Sequence, residues 1–259
     1  LNASNLLNYF GRNDIPLSIG SPTPIIRKPR ICAEIHGKTG LDGFDFPHYN
    51  HKYHKLKACD FLTEKLLAND HVTVITSGPM TNLGLAIKNN KEILKHIEAI
   101  VLMGGSTGEG NMSKYAEFNI LVDPEAADIC FSSGVPIKML GLNVTRKILV
   151  NDEVMSNVSK INTKGGELFT KLMTIFNKNQ RDFFGLEAGP LHDPATIISL
   201  LNENVFTFEP MNVTIDTSAS EKAGQTVCKK NKPHNCLVAV EVNIKLYWQE
   251  IYKYLLKLN

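Results

Sequence analysis

The sequence predicts an α/β protein with a mostly parallel central sheet, a Rossmann-like core, and helices on both faces. Two observations carry this. Short apolar runs recur along the chain without the apolar–polar alternation of a half-exposed strand, so they read as strands covered on both sides. Helical stretches separate most of them, and parallel strands joined by right-handed crossovers produce that alternation. In order, residues 3–10 read as helix, 15–19 as strand, 55–68 as helix, 72–76 as strand, 82–89 as helix, 99–103 as strand, 125–131 as helix and 136–142 as strand. Residues 166–184 read as a long helix and 194–201 as a shorter one. Residues 211–215 and 237–242 read as late strands whose antiparallel pairing is open. The last helix, 245–258, carries Tyr247, Ile251, Tyr254 and Leu255 at helical spacing. Asp123 before Pro124 and Asp193 before Pro194 each place a capping residue ahead of proline at the first helical position. Neither a repeat nor a linker interrupts the pattern, so 1–259 reads as one domain. It opens in a helix, where a parallel sheet ordinarily starts with a strand.

Composition narrows the function classes. Hydrophobic residues make up 43% and charged residues 21% of the 259, which is a globular and not a disordered balance. Lys plus Arg total 28 against 26 for Asp plus Glu, a net charge of +2, which argues against a nucleic-acid partner. There is no apolar run long enough to span a membrane and no basic-then-apolar leader in residues 1–11, so a cytoplasmic protein is expected. Cys32, Cys59 and Cys130 read as small buried hydrophobes. Cys228 and Cys236 flank a polar loop and would close a hairpin in an oxidising compartment; the reducing default leaves them as thiols.

In open parallel sheets ligands gather at the carboxyl ends of the strands, and three loops there are distinctive. One is Ser77-Gly78-Pro79-Met80-Thr81-Asn82. Another runs from Gly104-Gly105-Ser106 through Asn111 to Ala116-Glu117-Phe118-Asn119. The third holds His192 and Asp193. Glu117 and Asn119 are two apart, so in an extended segment both side chains point to one side, and a carboxylate beside an amide grips vicinal hydroxyls. Asn111 adds a third contact. The same residues equally suit a polar loop that caps the following helix, Asp193 suits a helix cap, and His192 suits a hydrogen-bonded loop histidine. Gly37-Lys38-Thr39 imitates a P-loop tail, but Cys32 stands where glycine is required. His48, His51 and His54 recur every third residue without carboxylates, which favours a mobile, solvated loop over a metal cluster.

Several segments together resemble the nucleoside hydrolases, the inosine-uridine-preferring nucleoside N-ribohydrolases. They are Ile35-His36-Gly37 through Gly43, Thr76-Ser77-Gly78-Pro79-Met80-Thr81-Asn82, Val101-Leu102-Met103-Gly104-Gly105, Gly110-Asn111 with Ala116-Glu117-Phe118-Asn119 and Asp123-Pro124-Glu125-Ala126-Ala127, and Leu191-His192-Asp193-Pro194. They occur in family order from about position 5 to the last helix. The resemblance implies calcium-dependent hydrolysis of the N-glycosidic bond of ribonucleosides, as in nucleoside salvage. It places Asn111, Glu117 and Asn119 on the ribose hydroxyls, with Asn82 and Met103 in the same substrate-binding set. Asp193 and the Ser77 main-chain carbonyl become calcium ligands. His36 and His192 face the base, with His192 and Glu117 as the catalytic pair. Gln180 and Phe184 match base-contacting positions of the pyrimidine-preferring branch, although Phe184 stands where that branch often has Tyr. A homodimer or homotetramer is implied.

Two departures shape the expectation. The family's Asp-rich loop, D-x-D-x-G-x-D-D after the first strand, does not occur in these 259 residues, and Asn143 stands where Asp is common. The chain is therefore expected to lack an N-terminal strand–helix unit of about 30 residues. An N-terminal extension is expected to hold the Asp cluster, and the 259 residues alone are expected to hydrolyse uridine and inosine at background rate. The resemblance leaves two readings, a ribonucleoside hydrolase and a catalytically inactive relative that binds nucleoside weakly or serves a structural role.

Overall fold

The computed structural model describes residues 1–31 and 37–259. Its sheet has six strands in the order β1-β2-β3-β6-β4-β5: β1 (Val72–Thr76), β2 (Ile97–Met103), β3 (Ile137–Leu140), β4 (Phe206–Ile215), β5 (Thr226–Lys229) and β6 (Cys236–Val242). β1, β2, β3 and β6 run parallel, while β4 is antiparallel to β6 and β5 to β4. The late strands thus combine a parallel and an antiparallel neighbour.

Successive side chains along a strand point to opposite faces, and the apolar residues divide accordingly. Ile100, Leu102, Ile137, Met139 and Val238 face one core, with α2 (Ala58–Leu67), α3 (Thr81–Asn89) and α5 (Pro124–Phe131) on that side. Val101, Leu140 and Ala239 face the other, under α9 (Pro194–Leu201) and α10 (Ile244–Leu255). Covering on both faces is why these strands read as unbroken apolar runs. Helix α3 approaches α5 closely at Gly84, where a β-carbon would meet Ala126 at 2.8 Å. The remaining helices are α1 (Asn2–Tyr9), α4 (Phe118–Val122), α6 (Leu142–Thr145), α7 (Asp152–Val158) and α8 (Lys164–Phe184).

Two expectations need correction. Residues 15–19 form no strand. A strand needs a ladder, and here the Leu17 carbonyl accepts from the His54 N–H of an irregular segment and the Ile19 carbonyl from the Ala58 N–H that opens α2, leaving Ile15 and Ile19 exposed. That segment is not the loose loop expected of its histidines. His51 Nδ1 pairs with the buried Ser4 hydroxyl at 2.7 Å, and Tyr9 packs edge-on against Phe44 and Phe46. Cys228 and Cys236 are free thiols, as the reducing default has them, and β4 lies between their strands. Burial pushes the Cys228 thiol up to about 11.

Asp123 ties two of these helices to the segment at Ile25. It is fully buried, and its carboxylate accepts from the Ala126 N–H at the start of α5, the Thr81 hydroxyl at the start of α3 (2.6 Å) and the Ile25 N–H. Removing it strips a helix cap and strands buried donors. Asp123→Ala is expected to destabilise the fold by about 3–4 kcal/mol in denaturant unfolding. A loss under about 1 kcal/mol would mean the three bonds are dispensable.

Candidate active site

The parallel strands end on one side of the sheet; two of the distinctive loops follow β1 and β2, and the third, with His192 and Asp193, joins α8 to α9. After β2 the chain turns at Gly105, whose φ of +72° suits glycine and whose missing β-carbon leaves room for Thr226. Thr226 holds this turn by accepting from the Ser106 N–H and donating to the Ser106 carbonyl. Farther along, Arg146 donates to the Glu109 and Gly110 carbonyls, pinning the segment that carries Asn111. Asn111 is exposed, and its Oδ1 accepts from the Phe118 N–H at 3.0 Å.

Glu117 is the centre of the loop and only 2% exposed. Its carboxylate accepts from the backbone N–H groups of Asn119 (2.9 Å), Gly105 (3.0 Å) and Ile120 (3.2 Å). It therefore caps α4 and clamps the β2 turn at once. Burial raises its pKa to about 7, against the pull of the three N–H groups; Asp193 adds a smaller push in the same direction. That electrostatic coupling brings the loops after β2 and before α9 into one neighbourhood. Asn119, also buried, donates to the Met103 carbonyl at 3.1 Å, so Met103, Glu117 and Asn119 form one joined group.

Asp193 does not cap α9. Its backbone is already helical (φ −64°, ψ −39°), whereas a capping side chain reaches the first turn from an extended backbone. The residue as a whole is exposed, while the protein packed around its carboxylate desolvates it and raises its pKa to about 6. Beside it, His192 Nδ1 lies 2.7 Å from the Thr145 hydroxyl on α6. The Leu142 N–H that opens α6 bonds the Gly105 carbonyl at 2.9 Å, linking this pair back to the turn of the Glu117 clamp.

The other predicted residues are placed differently. Ser77 and Asn82 follow β1 and line a cavity of about 380 Å³ with Ser18 and Phe61; Asn82 accepts from the Ser21 N–H. None of the residues around Glu117 lines that cavity. Gln180 is buried against Gly189, while Phe184, one turn further along α8, is 51% exposed. His36 lies outside the described residues. Thr145, Arg146 and Thr226 escaped the sequence reading; the only signal was the short polar stretch after β3.

Among the described residues no group of three or more His, Cys, Asp and Glu is placed to hold a metal. Calcium takes about 6–8 oxygens, and one carboxylate with one exposed carbonyl falls short. The described residues therefore do not by themselves make the calcium site the resemblance implies.

Comparison with known proteins supplies the context. Residues 1–249 match the inosine-uridine preferring nucleoside hydrolase family. The pyrimidine-specific ribonucleoside hydrolase RihA of Photobacterium profundum is 39% identical over 248 residues, spanning 93% of this chain and 80% of that protein. RihB of Shigella flexneri, also pyrimidine-specific, is 35% identical over 240 residues, spanning 91% and 77%. Among solved structures, the purine-preferring ribonucleoside hydrolase from Gardnerella vaginalis superposes with a TM-score of 0.91 at 28% identity, covering 99% of this chain and 84% of that one. The plant nucleoside hydrolase PpNRh1 gives 0.91 at 27%, covering 98% and 84%. The chain belongs to the inosine-uridine preferring nucleoside hydrolase family and is a ribonucleoside hydrolase, releasing free base and ribose.

Proposed function

We propose that pyrimidine ribonucleosides are the preferred substrates and that the pentose sits at the strand ends between Glu117, Asn119 and Asp193. The observation that carries this is the electrostatic neighbourhood of Glu117, Asp193 and His192 at the carboxyl ends of β2 and β3. The preference for pyrimidines is supported by the relatives of 35–39% identity, both pyrimidine-specific. In the reaction the C1′–N bond breaks with its electron pair leaving on the base, a water oxygen bonds C1′, and the base nitrogen takes up a proton. Positive charge builds on the ribosyl ring, as in other glycoside cleavages. In this reading the Glu117 carboxylate, already fixed by three N–H groups, stabilises that charge without reorganising. Asn111 and Asn119 hold hydroxyls, with Met103 and Asn82 bordering the substrate. His192 serves the departing base, and Gln180, Phe184 and His36 border it.

The family is metal-dependent. We assign calcium as the ion, since carboxylate and carbonyl oxygens are hard donors, with Asp193 and the Ser77 carbonyl as this chain's ligands. No step above runs through it. We further read residues 1–259 as one domain, the enzyme as a homodimer or homotetramer, and its compartment as the cytoplasm, in keeping with the four unpaired thiols among the described residues. No helix among the described residues is long and apolar enough to cross a membrane.

Two measurements test this. In the full-length enzyme with calcium, uridine is expected to be hydrolysed with kcat/KM at least about tenfold above inosine, and His192→Ala to lower kcat by about 100-fold or more. Equal or inverted base preference would overturn the pyrimidine assignment, and an unchanged His192→Ala rate would remove His192 from the chemistry. The second concerns Glu117, whose folded-state pKa of about 7 lies above its ordinary 4.5. Such a group favours the fold below the ordinary value and loses that contribution as pH rises through the folded one. With chelator present, wild-type stability relative to Glu117→Gln is expected to fall between about pH 4.5 and 7, by up to about 3 kcal/mol, then level off. A flat difference would show that Glu117 is not desolvated as described.

A further inference from the structure

We infer that Thr145 is a positioning residue that fixes the ring plane and tautomer of His192; the catalytic arm of the inference rests on the role of His192 proposed above. Thr145 is fully buried on α6, and its hydroxyl oxygen touches two partners, the Gly141 carbonyl at 3.2 Å and His192 Nδ1 at 2.7 Å. A threonine hydroxyl carries one proton and two acceptor lone pairs. The Gly141 carbonyl only accepts, and the inference places the hydroxyl proton on it, in the usual back-bond of a helical threonine to the carbonyl four residues earlier. The contact to His192 then requires the proton to sit on Nδ1, with Thr145 accepting.

The neutral ring is thereby held as the Nδ1–H tautomer. Nε2 becomes the nitrogen through which the imidazole exchanges a hydrogen bond or a proton with the departing base. Histidines that work at a site are commonly set in this way by the partner of the other ring nitrogen. Here the partner is a neutral hydroxyl and not a carboxylate, so it orients the ring without adding a charge beside Asp193.

The hydroxyl is not needed to hold α6 together. The Gly141 carbonyl also accepts from the backbone N–H groups of Val144 and Thr145, both at 3.1 Å, so an isosteric valine leaves it bonded. Glycine at 141 and the helical bonds survive the substitution, and what is lost is the acceptor for Nδ1–H. A purely structural role predicts that valine is tolerated, whereas a positioning role predicts damage to turnover that serine repairs.

The test has two arms. In the full-length protein labelled with ¹⁵N-histidine, the His192 signals are identified by their absence from His192→Gln. At about pH 8, where an ordinary imidazole is neutral, they are expected to show a protonated Nδ1 and an unprotonated Nε2. Thr145→Val is expected to shift His192 toward the Nε2–H form, and Thr145→Ser to retain the wild-type pattern. In steady-state hydrolysis, Thr145→Val is expected to lower kcat at least about tenfold with KM within about threefold, and Thr145→Ser to recover most of the rate. A wild-type His192 protonated on Nε2, or one whose tautomer ignores Thr145→Val, overturns the inference without touching the proposed reaction. A tautomer that shifts while kcat stays unchanged overturns the positioning role. Loss of the rate dependence on His192 itself, with the tautomer arm intact, counts against the proposed role of His192 and not against the Thr145 contact. Should Thr145→Val fail to fold, the wild-type tautomer still decides.

Discussion

The arrangement at the strand ends depends on one buried carboxylate satisfied by backbone. Glu117 sits out of solvent, and three N–H groups converge on it, from Asn119, Ile120 and the Gly105 turn. Without it, α4 would lose its cap and the turn after β2 its tether. Neither contact alone is unusual, but one side chain makes both, so the loop and the turn move as a unit. The same burial that makes the clamp costly to ionise keeps the carboxyl near neutrality, where its charge state responds to whatever approaches. A structural cap and a chemically poised group are here the same atoms.

The sheet supplies the rest by topology. Parallel order through β1, β2 and β3 delivers successive loops to one rim. At that rim β3 stops at Leu140, and the chain turns at once into α6, whose opening N–H reaches the Gly105 carbonyl. This short helix carries Thr145 to His192, so the residue before Asp193 is oriented from β3 while Asp193 is coupled to the loop after β2. The backbone of Asp193 is already helical, and its carboxylate makes no capping bond to α9.

Much of this could be read from the chain, and the reasons for what could not are physical. Strands covered on both faces announced themselves as apolar runs, and β1 and α9 match their expected bounds residue for residue. Residues 15–19 look as apolar as β1, but a strand is a pairing property, and composition does not say which neighbour is hydrogen-bonded. The helices at 118–122 and 142–145 are too short to show a period, so the residues they carry, Thr145 among them, looked like loop. The spacing of Glu117 and Asn119 was taken as a shared side in extended chain, whereas Asn119 stands inside a helix capped by Glu117; they stay close for another reason. Asp193 before Pro194 had every sign of a cap, and only backbone angles reveal that it is not one. Gln180 and Phe184 share a helix face by spacing, yet one is buried and the other half exposed, because α8 runs out of cover near Gly185.

The most direct check is to locate the sugar. A crystal structure of the full-length protein with ribose or a non-hydrolysable ribosyl analogue is expected to show the pentose within hydrogen-bond reach of Glu117 and Asn119, on the side facing Asp193. A sugar bound out of reach of Glu117 and Asn119, with Glu117 engaged only by its three backbone donors, would reduce that carboxylate to a cap and contradict the account.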